Sequence, residues 1–277
     1  MPTIFRIPVR KETRLSGLAI AYNDFMSTLS DQSSDPIKQQ RDDRFVTTRW
    51  SMVAKAGDVQ NVESEQVLAD LCQHYWFPLY AYARRRMYRE KARDMTQEFF
   101  WVLLDKNYLE SADQNKGRFR AFLSTAFKRF LANQFDRANT VKRGGNIQKL
   151  SFDFESADSR YSIQPVDDLT PDKVFERQWV LTLLENVVER MRDYYQSKGA
   201  EHLQRFEILK PMIVGETGAD YQDLAEQLSL PSATLRVQVH RMRERYRELL
   251  RAEVAGTVAS EEEVDDEIRR MFELMGD

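Results

Sequence analysis

Residues 221–250 read YQDLAEQLSLPSATLRVQVHRMRERYRELL, and this stretch carries two helical periods separated by a break. Tyr221, Leu224, Ala225 and Leu228 share one face of a short helix. Ser229-Leu230-Pro231 then ends it, and Ser232 is placed to cap a second helix. In that second helix Leu235, Val239, Met242, Tyr246 and Leu249 recur at steps of four and three and define one buried face. The pattern is a helix-turn-helix. Arg236, Val237, His240 and Arg241 fall outward near the start of the second helix, where such a motif presents side chains to base edges in the major groove. Arg243, Arg245 and Arg247 either contact phosphates or simply line the surface. Taken alone, the second helix is equally consistent with an ordinary solvated basic face; the preceding helix and turn favour the motif.

The same periodicity extends upstream. From Phe45 to about residue 140 apolar residues recur at steps of three and four, as in Leu68, Leu71 and Tyr75 and in Leu79, Tyr82 and Ala83. Pro78 is expected to bend or interrupt that helical region. ARDMTQEFFWVLL forms a further helix, and FRAFLSTAFKRFLANQFDR follows the breaker Asn115-Lys116-Gly117. Between 141 and 170 the glycines, Pro165, and the serines and aspartates predict a linker. Helical periodicity resumes at Pro171 with the stripe Val180, Leu184, Val187, Met191 and Tyr195, and a short helix around Phe206 to Ile213 follows. No alternating strand pattern competes. Residues 1–44 are polar and without sustained period, and read as a loosely attached arm.

A second constellation lies in 118–137: Arg118, Phe119, Arg120, Phe122, Phe127, Lys128, Arg129, Phe130, Asn133, Phe135 and Arg137. Rings that stack on unpaired bases beside cations that follow the backbone suit a melted strand. The near-helical spacing of Phe119, Phe122, Phe127 and Phe130 assigns most of the rings to a core instead, so the charges are the better candidates.

The totals set limits. A chain of 277 residues with 42% apolar content can fill the cores of two modest domains. No apolar run reaches bilayer length and the N-terminus is charged, so a cytoplasmic protein without membrane contact is expected. Cys72 is the one cysteine, expected as a core thiol, and with three scattered histidines it leaves no zinc-site spacing. No cofactor is implied, and no nucleophile–base pair or phosphate loop points to an enzyme. The net charge of -3 is unevenly spread: Gly117 to Arg143 holds seven Lys or Arg and one acid, whereas six of the seven residues Glu261 to Glu267 are acidic. Segregation of this kind suggests separate faces for separate partners.

In order and motif the chain resembles bacterial sigma factors of the extracytoplasmic-function (ECF) class, through DMTQEFFWVLL, GRFRAFLSTAFKRFLANQFDR and YQDLAEQLSLPSATLRVQVHRMR across about residues 45–255. The resemblance implies an all-α chain of two helical domains, a region-two bundle over 45–140 and a region-four helix-turn-helix over 171–255. A flexible linker over 141–170 joins them, and an acidic tail over 256–277 follows. It implies promoter DNA and core RNA polymerase, through the clamp of its largest subunit and its flap, as partners, with an anti-sigma factor as a further candidate. Asp94, Gln97 and Glu98 match the helix that docks on the clamp. Arg118, Arg120, Lys128, Arg129, Asn133 and Arg137 match the segment that opens and reads the minus-ten element, with the base-capturing loop near Lys128 to Asn133. Ser232, Arg236, Val237, His240, Arg241 and Arg243 match the minus-thirty-five reader. The linker would thread toward the RNA path, where Asp153, Glu155 and Asp158 would imitate phosphates.

This chain departs from the family pattern where Lys91-Ala92-Arg93-Asp94 replaces an acidic cluster, and Val237-Gln238 stands where relatives often carry Ser-Arg. Each misplaced charge is expected to weaken docking by about 1 kcal/mol. Phosphorylation of Thr96 by a Ser/Thr kinase would restore negative charge, whereas the simpler account is a compensating change on the polymerase, or a docking interface that tolerates the loss because Asp94 and Glu98 remain. In the tail, Val264, Ile268, Met271, Phe272 and Met275 predict an amphipathic helix, either a cap on its own domain or an autoinhibitory acidic segment. The alternative to a sigma factor is a helix-turn-helix regulator that binds duplex DNA without joining polymerase; it leaves the first domain without a role.

Overall fold

The structure is a computed structural model of the full chain, and it describes residues 6–7, 62–105, 118–138, 151–163, 169–214, 221–258 and 260–276. In chain order the elements are β1 (Arg6–Ile7), α1 (Val62–Arg86), α2 (Arg89–Asp105), α3 (Phe119–Ala138), β2 (Ser151–Phe152), α4 (Phe154–Ile163) and α5 (Pro171–Ser197). They continue with α6 (Ala200–Ile213), α7 (Tyr221–Gln227), α8 (Ser232–Ala255) and α9 (Val264–Gly276), the last preceded by a 3-10 turn at Glu261–Glu263. Apart from one parallel pairing of β1 with β2, Arg6 opposite Ser151 and Ile7 opposite Phe152, the described elements are helical, and the fold is all-α. No described helix is long and apolar enough to cross a membrane.

The described residues fall into two compact units, one drawn from Thr47–Thr182 with Gly256–Glu261, the other from Leu183–Ala255 with Glu262–Asp277; Arg6 and Ile7 join the first. The division falls inside α5 rather than within 141–170.

In the first unit α1 is the central helix. Cys72 and every residue from Tyr75 to Ala83 are buried, as expected of a helix surrounded on all sides. Tyr75 meets Phe119 of α3 edge-on at 5.4 Å, Tyr82 meets Phe127 at 5.9 Å, and Trp76 stacks on Phe152 at 5.1 Å. Each buried ring removes roughly 150–250 Å² from water, about 4 kcal/mol or more before chain entropy is set against it. The surrounding contacts also explain why Pro78, expected to bend or interrupt the chain here, leaves α1 continuous from Val62 to Arg86. Burial pushes the Cys72 thiol up to about 12. A thiol reagent at mildly alkaline pH should therefore leave the native protein unlabelled and react fully once denaturant is added; labelling without denaturant would show that α1 opens readily.

Residues 151–163 correct the expected linker. Asp153 accepts from the Ser156 backbone N–H at 3.3 Å and from its hydroxyl at 2.8 Å, which starts α4. Phe152 and Ala157 are buried, Phe154 meets the rings of Trp76 and Tyr80 at 5.6 and 5.3 Å, and the Arg160 guanidinium lies 4.2 Å over Phe77. These contacts make the segment part of the core. Residues 141–150 and 164–168 lie outside the described residues, as does the arm over 1–44 apart from Arg6 and Ile7.

In the second unit α8 is central, packed by α6, α7 and α9. Gly199 starts α6 with φ 116°, a conformation open to glycine, and Tyr195 of α5 stacks on Phe206 of α6 at 5.1 Å. The expected tail helix forms as α9. Val264, Ile268 and Met271 are buried, Phe272 and Met275 are half-buried, and Asp265 pairs with Arg251 of α8.

Candidate nucleic-acid and docking surfaces

The turn between α7 and α8 is built by backbone hydrogen bonds. Leu230 N–H donates to the Ala225 carbonyl at 2.9 Å and Ser229 N–H to that of Glu226 at 3.1 Å, with Ser229 left-handed at φ 52°. This is a Schellman end, which satisfies the last carbonyls of α7 and reverses the chain into α8. Leu235, Val239, Met242, Tyr246 and Leu249 are buried, as their spacing predicts. Ser232, Arg236, Val237, His240 and Arg241 are exposed, Val237 at 51%. The Arg236 guanidinium rests 5.7 Å over the Tyr221 ring of α7, so the first helix braces this side chain on the second. His240 Nδ1 lies 3.5 Å from Glu244 on the same face.

Arg243, expected in the minus-thirty-five set at phosphates or simply at the surface, is half-buried. Its Nε and Nη2 both donate to the Met212 carbonyl, at 3.1 and 3.0 Å, closing the C-terminal turn of α6. Arg245 stacks 5.0 Å over Tyr194 and pairs with Glu248 at 2.9 Å.

In the first unit the minus-ten candidates divide similarly. Arg120 is 4% exposed with its guanidinium 4.4 Å over Trp179, a core position. Arg118 is half-buried at the start of α3, where its carbonyl accepts from the Ala121 and Phe122 N–H groups. Lys128 pairs with Asp172 and lies 6.0 Å over the Tyr82 ring. Arg129 and Asn133 are exposed; the side chain of Arg137 lies outside the described residues. A base-capturing loop near Lys128 to Asn133 is not present. Those residues lie inside α3, continuous from Phe119 to Ala138, because Phe119, Leu123, Phe127 and Leu131 bury one face without a breaker. Phe119 and Phe127 are buried, Phe122 and Phe130 half-buried, and Phe135 is 40% exposed.

On α2, Asp94 is exposed, Gln97 is half-buried, and Glu98 is half-buried and accepts from Gln134 of α3. Thr96 is wholly buried and its hydroxyl donates to the Ala92 carbonyl at 2.8 Å. Phosphorylation at Thr96, one of the two accounts of the missing acids, would need α2 to open locally before a kinase could reach this hydroxyl.

Arg93, one of the two bases in place of family acids, is used internally. It pairs with Asp158 of α4 and lies 5.6 Å over Phe154. Asp158 also accepts from the Tyr80 hydroxyl and stands 3.6 Å from Arg84 and 3.8 Å from Arg89. Burial first, and then Asp158, pushes the Tyr80 hydroxyl above its ordinary range. α4 thus supplies the carboxylate that pairs with Arg93, and Asp158, expected as a phosphate mimic, is held among these arginines. Sequence reasoning missed this cluster; Asp153 and Ser156 as a cap ahead of Phe154, Ala157 and Tyr161 were the available signal.

Among the described residues no group of His, Cys, Asp or Glu could hold a metal ion. No curated protein and no solved structure matches the chain. A family model described as ECF sigma factor matches residues 47–252. That span includes both the α1–α3 bundle and the α7–α8 helix-turn-helix, and the chain belongs to the ECF sigma factors, which bind core RNA polymerase and direct it to promoters.

Proposed function

We propose that the two units divide the work of promoter recognition. The exposed face of α8, with Ser232, Arg236, Val237, His240 and Arg241, reads the minus-thirty-five element in the major groove. Arg129 and Asn133 of α3, with Lys128 beside them, engage the minus-ten element, and Asp94 and Glu98 of α2 dock on the polymerase clamp. The observation that carries this reading is the split of α8 into an apolar buried face and a polar exposed one at its N-terminal end, with Arg236 braced on Tyr221.

The test is co-elution with core RNA polymerase followed by transcription from a promoter library. Arg236→Ala should leave co-elution intact and lower transcript yield about tenfold, the loss of one good base contact worth about 1–3 kcal/mol. Equal yield from both proteins would remove Arg236 from the base readers. Absence of co-elution by the wild type would leave α8 as the DNA-binding part of an independent regulator.

A further inference from the structure

The turn between α1 and α2 carries more charge than Asp158 takes up. Residues 84–93 read RRRMYREKAR, six bases and one acid. Arg84 and Arg93 turn inward to Asp158. Arg86 and Arg89 are exposed, and their contacts use part of their donors: Arg86 gives one hydrogen bond to the Tyr82 hydroxyl at 3.1 Å, and Arg89 has an exposed contact to Glu90 at 3.3 Å and stands 3.8 Å from Asp158. A guanidinium has five N–H donors, so most of this capacity faces solvent. Between the two arginines stands Tyr88, 66% exposed, whereas Tyr75, Tyr80 and Tyr82 of the adjoining helix are buried. A ring held in water between cations is suited to stacking.

This turn is continuous with α3. Arg86 and Lys128 approach the one ring of Tyr82, at 5.8 and 6.0 Å, and the Lys91 ammonium lies 4.3 Å over the exposed ring of Phe135. The α1–α2 turn and the C-terminal half of α3 therefore form one basic and aromatic face.

We propose that Arg86, Tyr88 and Arg89 form a further contact for single-stranded DNA, with Tyr88 stacking on an unpaired base and the two arginines holding the flanking phosphates. The inference rests on the reading of α3 as the face toward the melted minus-ten strand, and extends that face onto the α1–α2 turn. An acidic protein segment would use the arginines without needing the ring, which sets the design of the test.

The full chain, free and bound to core polymerase, is titrated against a short labelled single strand and against the duplex of the same sequence, over a range of salt. Tyr88→Ala is expected to weaken single-strand binding about tenfold while sparing the duplex, and Tyr88→Phe to bind as wild type, because the stacking ring remains. The double variant Arg86→Gln/Arg89→Gln should flatten the single-strand salt slope by roughly 1.4, about 0.7 for each phosphate released. Thermal melts establish that each variant is folded. The proposal is overturned if Tyr88→Ala binds the single strand within about twofold of wild type, if its loss is equal on duplex, if Tyr88→Phe shares the loss, if the salt slope is unchanged, or if the wild type captures no DNA. Co-elution with polymerase is scored separately, so a failure of α2 to dock is distinguishable from a failure of the turn to bind DNA.

Discussion

Thr96→Glu is expected to unfold the first unit rather than to imitate a phosphorylated residue. Thr96 is wholly buried and its hydroxyl is bonded to Ala92, with Phe99, Phe100 and Leu103 of the same helix also buried. A glutamate there brings a carboxyl group with no partner into an apolar environment. Even after relaxation, an uncompensated buried charge costs several kcal/mol, and the added volume adds about 1–3 kcal/mol. The total, about 4 kcal/mol or more, is comparable with the whole stability of a small domain. Thr96→Ala loses a small buried group and one hydrogen bond, about 1 kcal/mol. Denaturant unfolding followed by the fluorescence of the buried Trp76 and Trp179 measures both. A Thr96→Glu protein as stable as wild type and with stronger polymerase capture would show that α2 rotates or opens, and would support control by phosphorylation at this position.

Asp158→Ala should be the second large loss. One carboxylate meets Arg93, the Tyr80 hydroxyl, Arg84 at 3.6 Å and Arg89 at 3.8 Å. Removing it strands a part-buried hydroxyl and leaves three like charges facing one another. The cost of breaking such a pair is about 3 kcal/mol, tempered by the partial exposure of the arginines. Because Asp158 ties α4 to α1 and α2, the loss should also expose the Phe152 and Phe154 contacts to Trp76, seen as earlier proteolysis within 151–163. A double-mutant cycle with Arg93→Ala should return a coupling of about 1–2 kcal/mol. Coupling near zero would mean that the aromatic contacts hold α4 by themselves.

The all-α fold, the helix-turn-helix and the buried face of α8 were legible in the sequence because helical periodicity is local. Leu235, Val239 and Met242 announce their burial through spacing, and Ser229-Leu230-Pro231 announces the turn. The α4 segment was not legible, since its buried positions include an alanine and an arginine, its central aspartate is half-buried, and its aromatic contacts are to Trp76 and Tyr80, far away in the chain. The same limit governed the candidate site. Sequence determined where the cations are; it could not determine which of them face solvent. Arg120 lies on Trp179, Arg243 closes α6 through Met212, and Arg93 is taken by Asp158, while Arg129, Arg236 and Arg241 are exposed. Neighbouring positions on a helix share a period, so their faces follow from order alone. The partner that consumes a charge comes from another helix, and only tertiary packing brings it there.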